Sequence, residues 1–119
     1  MTQANTISLD YYVTKAGTIP RLTNSKFTIW SNAVKYALIG SDAWNIVDGS
    51  EEAPDVNGFQ RTRDKHRKYV KRSNKAVSIL YGSITPAVQS YVRGIVDSAQ
   101  MWTTICNTMD IVQNESSSN

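Results

Sequence analysis

A single cysteine, Cys106, stands among the 119 residues, so no disulfide can close within the chain. That points to a reducing compartment, and the expected location is cytoplasmic. The one histidine, His66, is equally alone. A lone histidine builds no metal site without Cys or carboxylate neighbours. A Cys106–His66 pair would lack a third group to orient it and an oxyanion loop to serve it. No apolar run reaches the ~20 residues of a membrane span, and no N-terminal run has signal-peptide length. The six glycines are dispersed among helix ends and turns, which excludes a glycine-rich phosphate loop. Glu51, Glu52 and Asp55 lie in a loop that would hold paired carboxylates poorly for acid–base work. The expectation is therefore no enzyme, no cofactor, no metal, no membrane partner and no small-molecule substrate.

Strand signals are also scarce. Ile7, Leu9, Tyr11 and Val13 alternate with Ser8, Asp10 and Tyr12, which allows one short strand-like piece, but no strand pair with a hairpin signal follows. Residues 1–20 read as an irregular arm, 21–112 as one helical domain and 113–119 as a polar tail. The fold class expected is all-α, with about five helices.

What is present is helical periodicity. Asn24 or Ser25 can cap a helix at about 25–39, and Phe27, Trp30, Val34, Ala37 and Leu38 share one face of it. Gly40 offers the left-handed stop. Ala43, Trp44, Ile46 and Val47 make a short second helix. The loop 49–58 carries Pro54 and the Asn57-Gly58 turn signal. Phe59, His66, Tyr69, Val70, Ser73, Val77 and Leu80 then mark one stripe of a long helix to about Tyr81, and the basic residues Arg61, Lys65, Lys68, Arg72 and Lys75 lie largely off it. Thr85-Pro86 suits a helix entry, with Val88, Tyr91, Val92 and Ile95 inward. Ser98 caps a last helix carrying Ala99, Trp102, Ile105, Cys106 and Met109. The expected core is Phe27, Trp30, Val34, Leu38, Trp44, Val47, Val70, Val77, Leu80, Val88, Val92 and Trp102. A Trp at helical spacing buries a large apolar area, so the three tryptophans read as pillars between helices.

Charge is modest overall, at +3, but uneven. Between Arg61 and Lys75 there are eight cations, namely Arg61, Arg63, Lys65, Arg67, Lys68, Lys71, Arg72 and Lys75, against one acid, Asp64. Asp48, Glu51, Glu52 and Asp55 precede them. Such a block is a solvated helix face, a nucleic-acid contact, or a surface for an acidic neighbouring subunit. Stacking aromatics are not interleaved on the basic face, which counts against base stacking there.

The order IPRLTNSKFTIWSNAVKYALIGSDAWNIVDG, Pro54, a polar helix, AVSILYGSITPAVQSYV and AQMWTTI resembles the gag polypeptide of copia-type LTR retrotransposons. The resemblance runs over about residues 19–110, through Leu22, Phe27, Trp30, Val34, Leu38, Trp44, Val47, Gly49, Pro54, Ile79, Leu80, Val88, Ala99 and Trp102. It implies a compact orthogonal bundle like a capsid N-terminal lobe. It implies a structural role, self-assembly into virus-like particles around RNA, and self-association or full-length gag as partner. The family's second lobe and zinc knuckle are missing here, so a fragment, or a truncated or domesticated product that modulates particles, is expected. The alternative is a small helical nucleic-acid-binding module acting through 61–75.

Overall fold

In a computed structural model, residues 10–15, 17–23 and 26–117 are described, with side chains as far as Asp110. The first element among the described residues is a β-hairpin. Strand β1 (Tyr11–Thr14) pairs antiparallel with β2 (Gly17–Pro20), Tyr12 opposite Ile19 and Val13 opposite Thr18. Thr14 Oγ1 donates to Gly17 O at 2.8 Å across the turn. This corrects two expectations: the fold is mixed, mostly helical with a two-stranded sheet, and the described part of the arm is a hairpin rather than irregular, while Ile7 and Leu9 of the alternating series lie outside the described residues. A lone hairpin is marginal in water, so packing holds this one. Ile19 is fully buried in the core, and Tyr12 packs against it. Beyond β2, Leu22 makes a parallel bridge to Ile84, with Leu22 N–H on Ser83 O at 2.9 Å.

Helix α1 (Phe27–Gly40) buries Trp30, Val34, Ala37 and Leu38, which recur at helical spacing on one face. The capping candidates Asn24 and Ser25 lie outside the described residues, and Lys26 stands at the N-cap without a side-chain cap. The stop is not Gly40, which is still helical. Asp42 takes the left-handed turn at φ 59°. Ala43 N–H bonds Leu38 O at 2.9 Å and Asp42 N–H bonds Ile39 O at 3.0 Å, the pairing of a Schellman motif. Aspartate tolerates that conformation better than most residues.

Helix α2 (Trp44–Val47) buries Ile46 and Val47. Helix α3 (Gln60–Gly82) buries only Ser73, Ala76, Ile79 and Leu80, all in its C-terminal half. Val70, expected in the core, is 38% exposed, and Phe59, expected on the same stripe, is also exposed. The reason is reach. A helix of 23 residues is about 34 Å long, and its buried residues all lie from Ser73 onward, so its first half meets little of the core. Helix α4 (Pro86–Gln89) is shorter than the expected segment to Ile95. Gly94 turns at φ 87°, and Tyr91 is exposed while Val88 and Val92 are buried. Helix α5 (Ser98–Ser117) runs past residue 112. Asp97 caps it by accepting Gln100 N–H at 2.9 Å. Ser98, the expected cap, is buried and bonds Ser73 Oγ at 2.9 Å instead.

The core joins α1, α2, α3 and α5 with Ile19, Leu22, Ile84, Met101, Ile105 and Met109. Its aromatic centre answers why the largest side chains flank the α1–α2 turn. Trp102 stacks on Trp30 at 5.7 Å and receives Trp44 edge-on at 5.5 Å, both favoured aromatic geometries. Trp30 is fully buried, and its indole N–H donates to Ser83 Oγ at 2.9 Å. Phe27, Trp44, Val77 and Trp102 pack on this core while half-buried.

Candidate functional site

Two outward surfaces remain once the core is assigned. The first is the far side of α1. Ile29, Tyr36 and Ile39 are 59%, 69% and 48% exposed. At 3.6 residues per turn they fall within an arc of about 80°. Lys35 beside them leans over the Trp44 ring, 5.5 Å from its centre. The outer side of the helix thus carries three exposed apolar side chains with exposed Asn32 among them, opposite the face buried in the core.

The second surface is α3. Arg61, Lys65, Lys68, Arg72 and Lys75 fall on one stripe, again within about 80° of arc. Arg63 and Arg67 lie on the opposite side, and Lys71 lies at the stripe's edge. The local reasons for this helix are plain. Asn57 Oδ1 accepts Phe59 N–H at 3.3 Å and Thr62 Oγ1–H at 2.8 Å, fixing the entry. Arg63 bonds Gly58 O and Gln60. No acid sits in the first turn, so nothing there offsets the positive end of the helix dipole.

Acidic partners sort the eight cations further. Arg67 meets Asp64 at 3.1 Å in an exposed pair. Arg72 takes Glu51 in both hands, at 3.0 and 2.6 Å, and also donates to Asp42 O at 2.9 Å. That hydrogen bond holds the Glu51 carboxyl below its ordinary value and raises Arg72. Among the described residues, Arg61, Lys65, Lys68, Lys71 and Lys75 have no acidic partner within ion-pair distance. Lys65, Lys68 and Arg72 line one groove with Asp42, Glu51 and Pro54.

The remaining titratable candidates do not converge. Cys106 lines a groove with Phe27, Ser31, Trp102, Asn107 and Asp110, and burial pushes its thiol up to about 11. His66 lines a different groove, with Val56, Arg63, Arg67 and Val70. Asp48 is held below its ordinary value by hydrogen bonds from Ser50, at 2.7 and 2.8 Å. These bonds close the turn after α2.

Sequence reasoning placed all eight cations on α3 and set Arg61, Lys65, Lys68, Arg72 and Lys75 apart as lying off the apolar stripe, but did not tell which of the eight have acidic partners. It treated Glu51 as a solvated loop residue and overlooked Ile29, Tyr36 and Ile39. The signal for the first was an acidic loop directly preceding a basic helix. The signal for the second was a second apolar series on α1, offset from the first. Among the described residues no helix is long and apolar enough to cross a membrane. Compared with family models, curated proteins and solved structures, the chain matches none of them.

Proposed function

We propose that the chain is a structural domain of the gag capsid type, acting by self-association rather than by catalysis. The observation that carries this is the uncovered apolar face of α1, Ile29, Tyr36 and Ile39, on a helix whose other side is locked in the core. Exposed apolar side chains gathered on one helix face, here with Asn32 among them, suit an interaction surface. Weak contacts of that kind become strong when symmetry repeats them. The resemblance of the ordered series of residues to copia-type gag gives the reading its class, and the tryptophan cluster would supply a rigid building block.

Sedimentation of nucleic-acid-free protein over a wide concentration range tests it. Growth of dimers or larger species is expected, and Tyr36→Ser with Ile39→Ser should abolish it while leaving the fold unchanged. A monomer at every concentration refutes the reading for this chain, and so does unchanged association of the double variant.

A second reading has its own observation. The stripe Arg61, Lys65, Lys68, Arg72, Lys75 suits the backbone of a nucleic acid, bound without regard to sequence. Affinity for single-stranded RNA should fall steeply with salt. Replacing Lys65, Lys68 and Lys75 with Gln should remove most of it. Affinity indifferent to both removes α3 as the interface.

A further inference from the structure

The groove between loop 48–55 and α3 has an unusual occupant. Glu51 reaches across from the loop and grips Arg72 with both carboxylate oxygens. Lys65 and Lys68 line the same groove. A carboxylate held by an arginine fork, beside two lysines, occupies the place that a phosphate oxygen pair would take, because Arg binds both groups in the same planar geometry. Arg72 is also the fourth of the five stripe residues, so Glu51 interrupts the stripe between Lys68 and Lys75.

We propose that Glu51 is an internal phosphate mimic: it masks Arg72 from a single-stranded nucleic acid lying along α3, which engages the other four cations of the stripe while the pair holds. This rests on the second reading above. The chemistry fits an exchangeable contact. The Arg72 and Glu51 side chains are 27% and 35% exposed, so water and a competing anion reach the pair. Such pairs are weak in water. Arg72 does not swing away on release, because its bond to Asp42 O keeps the guanidinium at the groove. The groove holds Lys65, Lys68 and Arg72 against Asp42 and Glu51. Withdrawing Glu51 leaves three cations against Asp42 alone. The acidic loop thus keeps Arg72 from an incoming anion, and a strand that engages Lys65, Lys68 and Lys75 gains the Arg72 contact once Glu51 is removed.

The test is fluorescence anisotropy of the full chain with a labelled oligouridylate, repeated across a salt series. Each phosphate engaged on a single strand contributes about −0.7 to the slope of log K against log salt. The wild-type stripe, with Arg61, Lys65, Lys68 and Lys75 engaged before Arg72, gives a slope near −3 on that basis. Glu51→Gln should steepen it by about 0.7 and tighten binding roughly threefold to tenfold at low salt. Glu52→Gln changes net charge equally but frees no arginine, so its slope should stay at the wild-type value. Glu51→Gln with Arg72→Gln should return to the wild-type slope. Equal effects of Glu51→Gln and Glu52→Gln overturn the mask, since charge alone then explains them. An unchanged slope in Glu51→Gln, with clear wild-type binding, also overturns it and leaves the interface standing. No binding by any of these proteins overturns the interface itself. Competition by inorganic phosphate beyond that of chloride at equal ionic strength overturns the assignment to a nucleic acid and gives the groove to the free anion.

Discussion

Gly82, at the last turn of α3, is where the hairpin can be tested. A Cβ there would stand 2.6 Å from Cε1 and Cζ of Tyr12 and 2.8 Å from its hydroxyl oxygen. Carbon atoms in ordinary contact sit at about 3.5–4.0 Å, so Gly82→Ala must push the Tyr12 ring outward by about 1 Å. That displacement disturbs Arg21, whose guanidinium lies 5.6 Å from the Tyr12 ring centre and also donates to Gly82 O. A cation–π contact at such a site is worth about 0.5–1 kcal/mol and the hydrogen bond about 1 kcal/mol. Against this stands a gain of at most about 1 kcal/mol, since alanine is the better helix former. Gly82→Ala should therefore destabilise the protein by about 1 kcal/mol. In a Tyr12→Ala background nothing occupies the space, and the same substitution should stabilise by up to about 1 kcal/mol. Urea unfolding of the four proteins measures the coupling, expected near 2 kcal/mol. An alanine that stabilises equally in both backgrounds means that Tyr12 does not lie on Gly82, and the docking of the hairpin is then wrong.

Other consequences follow from single contacts. Trp30→Phe removes the indole donor to Ser83 and part of the ring between Phe27 and Trp102. It should cost about 1–3 kcal/mol in urea unfolding, and a neutral result contradicts the buried indole. Asp42→Gly should stabilise by up to about 1 kcal/mol and Asp42→Val should destabilise, because only glycine takes φ 59° without strain. Cys106, raised from 9.0 to about 11, holds about a hundredfold less thiolate at neutral pH. Iodoacetamide should label it about a hundredfold more slowly folded than unfolded, and equal rates mean the thiol is not buried. Glu51 has a lowered pKa, so its pair with Arg72 contributes fully above the ordinary carboxylate value of 4.5 and is lost as pH falls through the lowered one. The stability gap between wild type and Glu51→Gln, up to about 1 kcal/mol at neutral pH, should close in acid; a gap constant with pH refutes the pair.

The legible parts of the fold are those settled within one turn of helix. Trp30, Val34, Ala37 and Leu38 announce α1 because their spacing is local. The hairpin was not legible, because its turn carries Lys15 and a later Gly17 rather than an Asn-Gly pair, and because what fixes it is distant in sequence. Leu22 meets Ile84, and Tyr12 meets Gly82. The stop of α1 was misplaced for a related reason. Gly40 is the obvious left-handed residue, yet the burial of Ala43 beside Leu38 carries the turn to Asp42. Val70 was misassigned because periodicity gives the direction of a side chain but not whether anything stands opposite. The cations of α3 could be counted from sequence. Which of them Glu51 masks depends on the path of a loop, and no local pattern encodes that.

The charge on α3 is itself an argument about function. Between Arg61 and Lys75 about eight like-charged pairs stand three or four residues apart, such as Arg61–Lys65, Lys68–Arg72 and Lys71–Lys75. Each opposes helix formation by about 0.2–0.5 kcal/mol, together roughly 2–4 kcal/mol before salt screens them. The first half of the helix, from Gln60 to Arg72, buries no side chain fully that could offset this. Asp64 and Glu51 relieve two cations and leave the rest of the stripe opposed. A helix face needed only for solubility would mix both signs, as i,i+4 pairs of opposite charge stabilise a helix. A strand of phosphates laid on this face removes the repulsion at Lys65, Lys68 and Lys75 together. On the nucleic-acid reading proposed above, binding a polyanion and stabilising the helix would reinforce one another through the same side chains.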